Sequence, residues 1–124
     1  MTPHPDIEIY IKRPSVEVVL DWLRERFQLG EVRKKGETLE CHLQPNDLIV
    51  IIVPGAVKGG FTSVWFKHGL TPWATDVDCA REAFARFHLE VRCSTGPWQE
   101  DEEHVEEGGW LRLTSAGEQV VNWF

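Results

Sequence analysis

The sequence predicts an α+β domain assembled from two strand-helix-strand units in tandem, and three observations lead to that reading. Two segments, 7–12 and 61–67, alternate apolar and polar residues with period two, the signature of half-buried strands. Each is followed by a stretch with a helical apolar stripe, and then by further short strands. The same order recurs on either side of Gly59-Gly60, where Arg26-Phe27-Gln28-Leu29 is matched by Arg86-Phe87-His88-Leu89 at an offset of about 60 residues.

In the first half, Ile7, Ile9 and Ile11 alternate with Glu8, Tyr10 and Lys12. Pro14 and Ser15 open a helix whose stripe is Val16, Val19, Leu20, Leu23 and Phe27, with Gly30 as its expected end. A strand over 31–35, a Lys35-Gly36 turn and a strand over 38–44 follow. In the latter, Leu39, Cys41 and Leu43 face one way, and Glu40, His42 and Gln44 the other. After Asn46-Asp47, residues 48–53 are apolar on both faces and β-branched, which predicts a strand shielded on both sides, stopped by Pro54-Gly55. Gly59-Gly60 reads as a flexible joint.

In the second half, the strand over 61–67 sets Val64 and Phe66 against Ser63, Trp65 and Lys67. Thr75 is placed to cap a helix, with Asp76 and Asp78 near the positive end of its dipole and Val77, Ala80, Ala83, Phe84 and Phe87 on its apolar face. Strands over 88–94, 110–114 and 119–123 complete the unit, the last two around Ala116-Gly117. The expected repeats are 6–55 and 61–124 within one domain, 1–124.

A chain of 124 residues is the usual size for one core. The apolar run 48–53 is far shorter than the roughly 18 residues of a membrane span, and residues 1–6 lack a signal-peptide pattern. A cytoplasmic protein without membrane association is therefore expected. Cys41, Cys79 and Cys93 are odd in number and form no CxxC pair, so they read as buried apolar residues. A formal charge of -7 argues against nucleic-acid binding. The run of residues 99–109, with six carboxylates between Trp98 and Trp110, reads as a solvated loop; its functional alternative is the steering of a cationic ligand.

The tandem order, together with the openings Ile7-Glu8-Ile9-Tyr10-Ile11 and Ser63-Val64-Trp65-Phe66 and the helix start Asp76-Val77-Asp78, resembles the vicinal oxygen chelate superfamily. That superfamily includes glyoxalase I, extradiol dioxygenases and bleomycin-resistance proteins, and the resemblance spans nearly the whole chain. It implies two βαβββ units forming a curled mixed sheet, helices on the outer face, ligand on the concave face and a homodimer. Period two then turns Glu8, Tyr10, Glu40, His42, Trp65, Arg92, Trp110 and Arg112 toward the cleft as ligand-binding residues. The metal positions implied by the resemblance fall on Asp6 and Ser63, on Ile51 or Ile52, and on Val120 or Val121. Only Asp6 carries a donor suited to a metal, so no metal and no other cofactor is expected.

The remaining histidines, His4, His68, His88 and His104, have no ligand spacing. No phosphate loop or nucleophile motif is present. His42 with Glu40 is the one acid-base pair on a shared strand face. The expected function is metal-free binding of an aromatic or cationic small molecule, as in the bleomycin-resistance branch. The alternatives are a metal-dependent lyase or dioxygenase, drawing its ligands from Asp6, Glu8, Glu40 or His42, and a protein-interaction module whose aromatic face is an interface.

Overall fold

The computed structural model describes residues 6–44, 47–67, 71–94 and 109–121. In chain order these form β1 (Ile7–Lys12), α1 (Val16–Arg26), β2 (Gln28–Lys35), β3 (Thr38–Gln44), β4 (Leu48–Val57), β5 (Phe61–Phe66), α2 (Asp76–Phe87), β6 (Val91–Ser94), β7 (Trp110–Thr114) and β8 (Gly117–Val121). The order strand, helix, three strands therefore occurs twice. The acidic residues 99–108, Trp98, and the histidines His4, His68 and His104 lie outside the described residues.

All eight strands join one open sheet in the order β2-β3-β4-β5-β1-β6-β7-β8. Every neighbouring pair is antiparallel, not mixed as the resemblance implies. Topology supplies the reason. β5 and β6, linked by α2, run in the same direction, but β1 lies between them and opposes both. Likewise β1 and β2, linked by α1, are parallel but separated by three strands.

Pairing crosses the boundary between the halves. β1 bonds only strands of the second half, while β5 bonds β4 and β1. The two halves engage differently, the first through its last strand (β4 with β5) and the second through the strand after its helix (β6 with β1). Gly59 and Gly60 are therefore not a joint between separate units. With φ of 97° and 85° they close the β4–β5 connection, and the Gly60 carbonyl accepts the Arg13 N–H at 2.9 Å. A Cβ on Gly60 would stand 2.7 Å from Arg13 Cγ, so both backbone and packing call for glycine.

Several element ends differ from expectation, among them the start of β2 at Gln28 and of β8 at Gly117. α1 stops at Phe27, whose extended backbone donates back to the Leu23 carbonyl, and Gly30 lies inside β2 where the register shifts between Leu29 and Val32. β4 runs past Pro54-Gly55 to Val57 through a second irregularity, since an interruption of the ladder lets a strand absorb a proline. β6 begins only at Val91, because His88 leaves α2 in the left-handed conformation, φ 59°. The Thr75 cap is as expected, its hydroxyl accepting the Asp78 N–H at 3.2 Å.

Both helices pack on one sheet face, made by Ile7, Ile9, Ile11, Cys41, Val50, Ile52, Val64, Phe66, Val91, Cys93 and Leu113. The apolar side of the first strand thus meets the helices. Trp22 of α1 is the largest fully buried side chain and contacts Phe66 and Phe87 edge-on, at centroid distances of 6.2 and 5.4 Å. Its indole N–H donates to Glu82 of α2 at 3.0 Å; Trp73 donates to the other oxygen at the same distance, and Arg26 pairs with that carboxylate at 2.6 Å. One carboxylate thereby links both helices and the segment before α2. Cys41, Cys79 and Cys93 are buried, and burial pushes each thiol up, to about 11 for Cys41, about 12 for Cys93 and well above the ordinary value for Cys79. Such thiols are poor nucleophiles. Among the described residues, no helix is long and apolar enough to cross a membrane.

Candidate functional site

The sheet face opposite the helices collects the polar partners of the isoleucine strand. Ladder register sets Glu8 opposite Trp65, Tyr10 opposite both Ser63 and Arg92, Arg92 opposite Arg112, and Ser94 opposite Trp110. Six of the eight residues expected to bind ligand, Glu8, Tyr10, Trp65, Arg92, Trp110 and Arg112, therefore share four contiguous strands, β5-β1-β6-β7, and all six are half-buried. Glu40 and His42 share the face but stand on β3, three strand spacings or about 14 Å from β1. Ile51 lies between Glu40 and Trp65 in the register. The structure thus splits the expected site into a central group and an outlying pair.

At the centre, Ser63 donates to Glu8 at 2.8 Å, and the Tyr10 hydroxyl is also held by Glu8. Burial first, and then the Glu8 charge, push the Tyr10 phenol up to about 12, so it stays a neutral donor. Trp110 meets Tyr10 edge-to-face at 5.8 Å and 72°. Trp65 donates its indole N–H to Asp6 at 3.1 Å. Below this group, Asp76 at the start of α2 faces Ser94 at 3.5 Å and accepts the Glu8 backbone N–H. Burial, with the Glu8 and Asp6 charges, raises the Asp76 carboxyl to about 6, against the lowering effect of those two hydrogen bonds.

Toward the other end of β1 the sign of the charge reverses. Glu90 accepts from Arg92 at 2.8 Å and from Arg112 at 3.0 Å, both on Oε2, while Lys12 Nζ stands 4.0 Å from Oε1. Arg92 stacks over Phe61 at 4.8 Å, and Phe61 is buried on this face. One carboxylate thus gathers three cations beside the Phe61 ring.

The outlying pair has a different chemistry. His42 Nε2 contacts Glu40 at 2.8 Å and Nδ1 contacts Asp47 at 3.2 Å; these two bonds raise the imidazole pKa above its ordinary value. Both ring nitrogens are thus engaged by carboxylates, which favours the protonated ring. The arrangement clasps the β3–β4 connection, His42 on β3 reaching Asp47 just before β4.

The metal positions implied by the resemblance do not fit an ion. Ile51, Ile52, Val120 and Val121 offer no donor, the Ser63 hydroxyl is committed to Glu8, and Asp6 accepts from Trp65. Among the described residues, no three His, Cys, Asp or Glu side chains are grouped to hold a metal. A recess of about 420 Å³ lies elsewhere, on the helix side of the sheet near its β2 edge, lined by Val16, Leu20, Lys34, Leu39 and Pro54 among others.

Sequence reading missed Ser63, Phe61, Asp76 and Glu90 as members of the central group. Glu90 was accessible through parity, being two residues before Arg92. Asp76 was not, because its place depends on how α2 is seated against β1 and β6. Set against protein-family models, characterised proteins and solved structures, the chain matches none.

Proposed function

We propose that this chain binds a small aromatic molecule on the half-buried sheet face, without a metal, in the manner of the bleomycin-resistance branch of the vicinal oxygen chelate superfamily. The observation that supports this most directly is the Tyr10–Trp110 pair. Two large rings stand edge-to-face on adjacent parts of the sheet, on the face the helices leave uncovered, with hydrogen-bonding groups on both sides. A sheet face needed only for solubility has no use for half-buried aromatic rings among satisfied polar groups, whereas a planar ligand gains contact area from them. The repeated element order supports a further reading, that the two halves descend from one βαβββ unit.

The test uses three naphthalene probes that differ only in their polar group: naphthalene-1-acetate, naphthalene-1-acetamide and naphthalene-1-ethylammonium. Titration calorimetry is expected to show saturable binding of at least one, and Trp110→Ala is expected to weaken it about tenfold, the upper end of what an aromatic contact contributes. Absence of saturable binding for all three at millimolar concentration would refute the proposal.

A further inference from the structure

Resting on that aromatic-binding reading, we infer that the same face carries a subsite for a single carboxylate, formed by Arg112 and Lys12, so that the ligand is an aromatic acid. The subsite follows from how charge is distributed around Glu90. Its carboxylate is only 12% exposed and is shared among Arg92, Arg112 and Lys12. Arg92 is engaged by Glu90 and by the Phe61 ring. Arg112 bonds Glu90 through Nε at 3.0 Å, which leaves the outer edge of its guanidinium, the edge suited to a carboxylate, turned away from that bond. Lys12 reaches Glu90 only at 4.0 Å. The Arg112 and Lys12 side chains are 37% and 44% exposed, so an incoming ligand can reach both.

Three cations around one shared carboxylate leave two positive charges on a half-buried surface, within a chain whose formal charge is -7. A carboxylate lies flat against the planar outer edge of the Arg112 guanidinium and accepts two parallel N–H bonds there.

Position decides the rest of the ligand. Trp110 is two residues before Arg112 on the same strand face, so their Cα atoms are about 7 Å apart. Tyr10 pairs with Arg92, which pairs with Arg112, and contacts Trp110. An arene against Tyr10 and Trp110 therefore places a carboxylate, carried on one or two carbons, at the Arg112 guanidinium.

The same probes, with naphthalene-1-methylphosphonate added, test this separately from ring binding. The wild-type chain is expected to hold naphthalene-1-acetate at least tenfold more tightly than the acetamide. Arg112→Gln and Lys12→Met are expected to weaken the acetate roughly tenfold and threefold, leave the acetamide within twofold, and Arg112→Lys is expected to recover part of the loss. Lys12→Met removes a partly exposed group, so it keeps the test decisive if Arg112→Gln fails to fold. Equal affinity for acid and amide, or equal weakening of both by the variants, overturns the carboxylate subsite while leaving aromatic binding in place. A phosphonate that binds more tightly than the acetate overturns the assignment to a carboxylate. If no probe binds, both readings fall together.

Discussion

Asp76→Asn is expected to stabilise the protein increasingly as pH rises from about 4, with the full gain reached above about pH 6. The residue begins α2, where a carboxylate gains about 0.3–1 kcal/mol from the helix dipole. Burial and the Glu8 and Asp6 charges outweigh that gain and move the carboxyl from 3.8 to about 6. The folded state thus holds this proton more tightly than the unfolded state. A raised pKa contributes stability that is fully present below the unfolded value near 4 and is lost as pH climbs through the folded value near 6. At about 1.36 kcal/mol per unit, a shift of about two units sets a ceiling of roughly 3 kcal/mol. Because Asp76 is partly exposed, solvent screening reduces this to about 1–2 kcal/mol. Asparagine resembles the protonated acid in shape and keeps an acceptor for the Glu8 N–H, so it matches wild type near pH 4 and exceeds it near pH 8. Urea unfolding followed by tryptophan fluorescence at pH 4 to 8 reads the difference as a midpoint gap opening to roughly 0.5–1 M, for a slope of 1–3 kcal/mol/M. Comparing variant with wild type at each pH removes the contributions of Glu25, Glu31 and Glu118, whose arginine partners lower their pKa values and act in the opposite direction. A gap that is the same at pH 4 and pH 8, or a variant less stable at pH 8, refutes the reasoning.

Glu82→Ala is expected to cost about 2–4 kcal/mol in the same unfolding assay, because the indole N–H groups of Trp22 and Trp73, residues only 1% and 5% exposed, lose their acceptor together; a loss below 1 kcal/mol would show that the shared Glu82 carboxylate is not needed. His42 is expected to titrate above 6.5 by proton NMR, and Glu40→Gln is expected to lower its midpoint, since the Glu40 bond is the largest cause of the shift. The sign is that of a raised pKa: the stabilisation by His42 is present below pH 6.5 and fades as pH rises through the folded value. A midpoint at or below 6.5 contradicts the clasp between Glu40 and Asp47.

Much of the candidate site could be read from period two alone. Once Ile7, Ile9 and Ile11 were assigned to the helices, the opposite side of every strand followed, and Glu8, Tyr10, Trp65, Arg92, Trp110 and Arg112 share that face in the sheet. Parity cannot give distance across strands, which is why Glu40 and His42 were grouped with residues about 14 Å away. Nor can it show the reversal of charge along β1, which arises because Glu90 draws Arg92 and Arg112 to one oxygen while Glu8 and Asp76 gather at the other end.

By itself the sequence determined the kind and order of the elements, the capped start of α2 and the division of each strand into a helix-facing and an opposite side. These are local properties: side-chain alternation, a 3.6-residue stripe and a Thr75 hydroxyl within reach of the Asp78 N–H depend on residues a few positions apart. Tertiary structure alone decided that β1 lies between β5 and β6, that Gly59-Gly60 closes a connection between paired strands instead of joining two separate units, and that Glu82 binds two tryptophans. Each of these joins residues far apart in the chain. Backbone ladders pair almost any strands of similar length, so the choice among them falls to the shared burial of the isoleucine face under both helices, which forms only when the whole chain has folded.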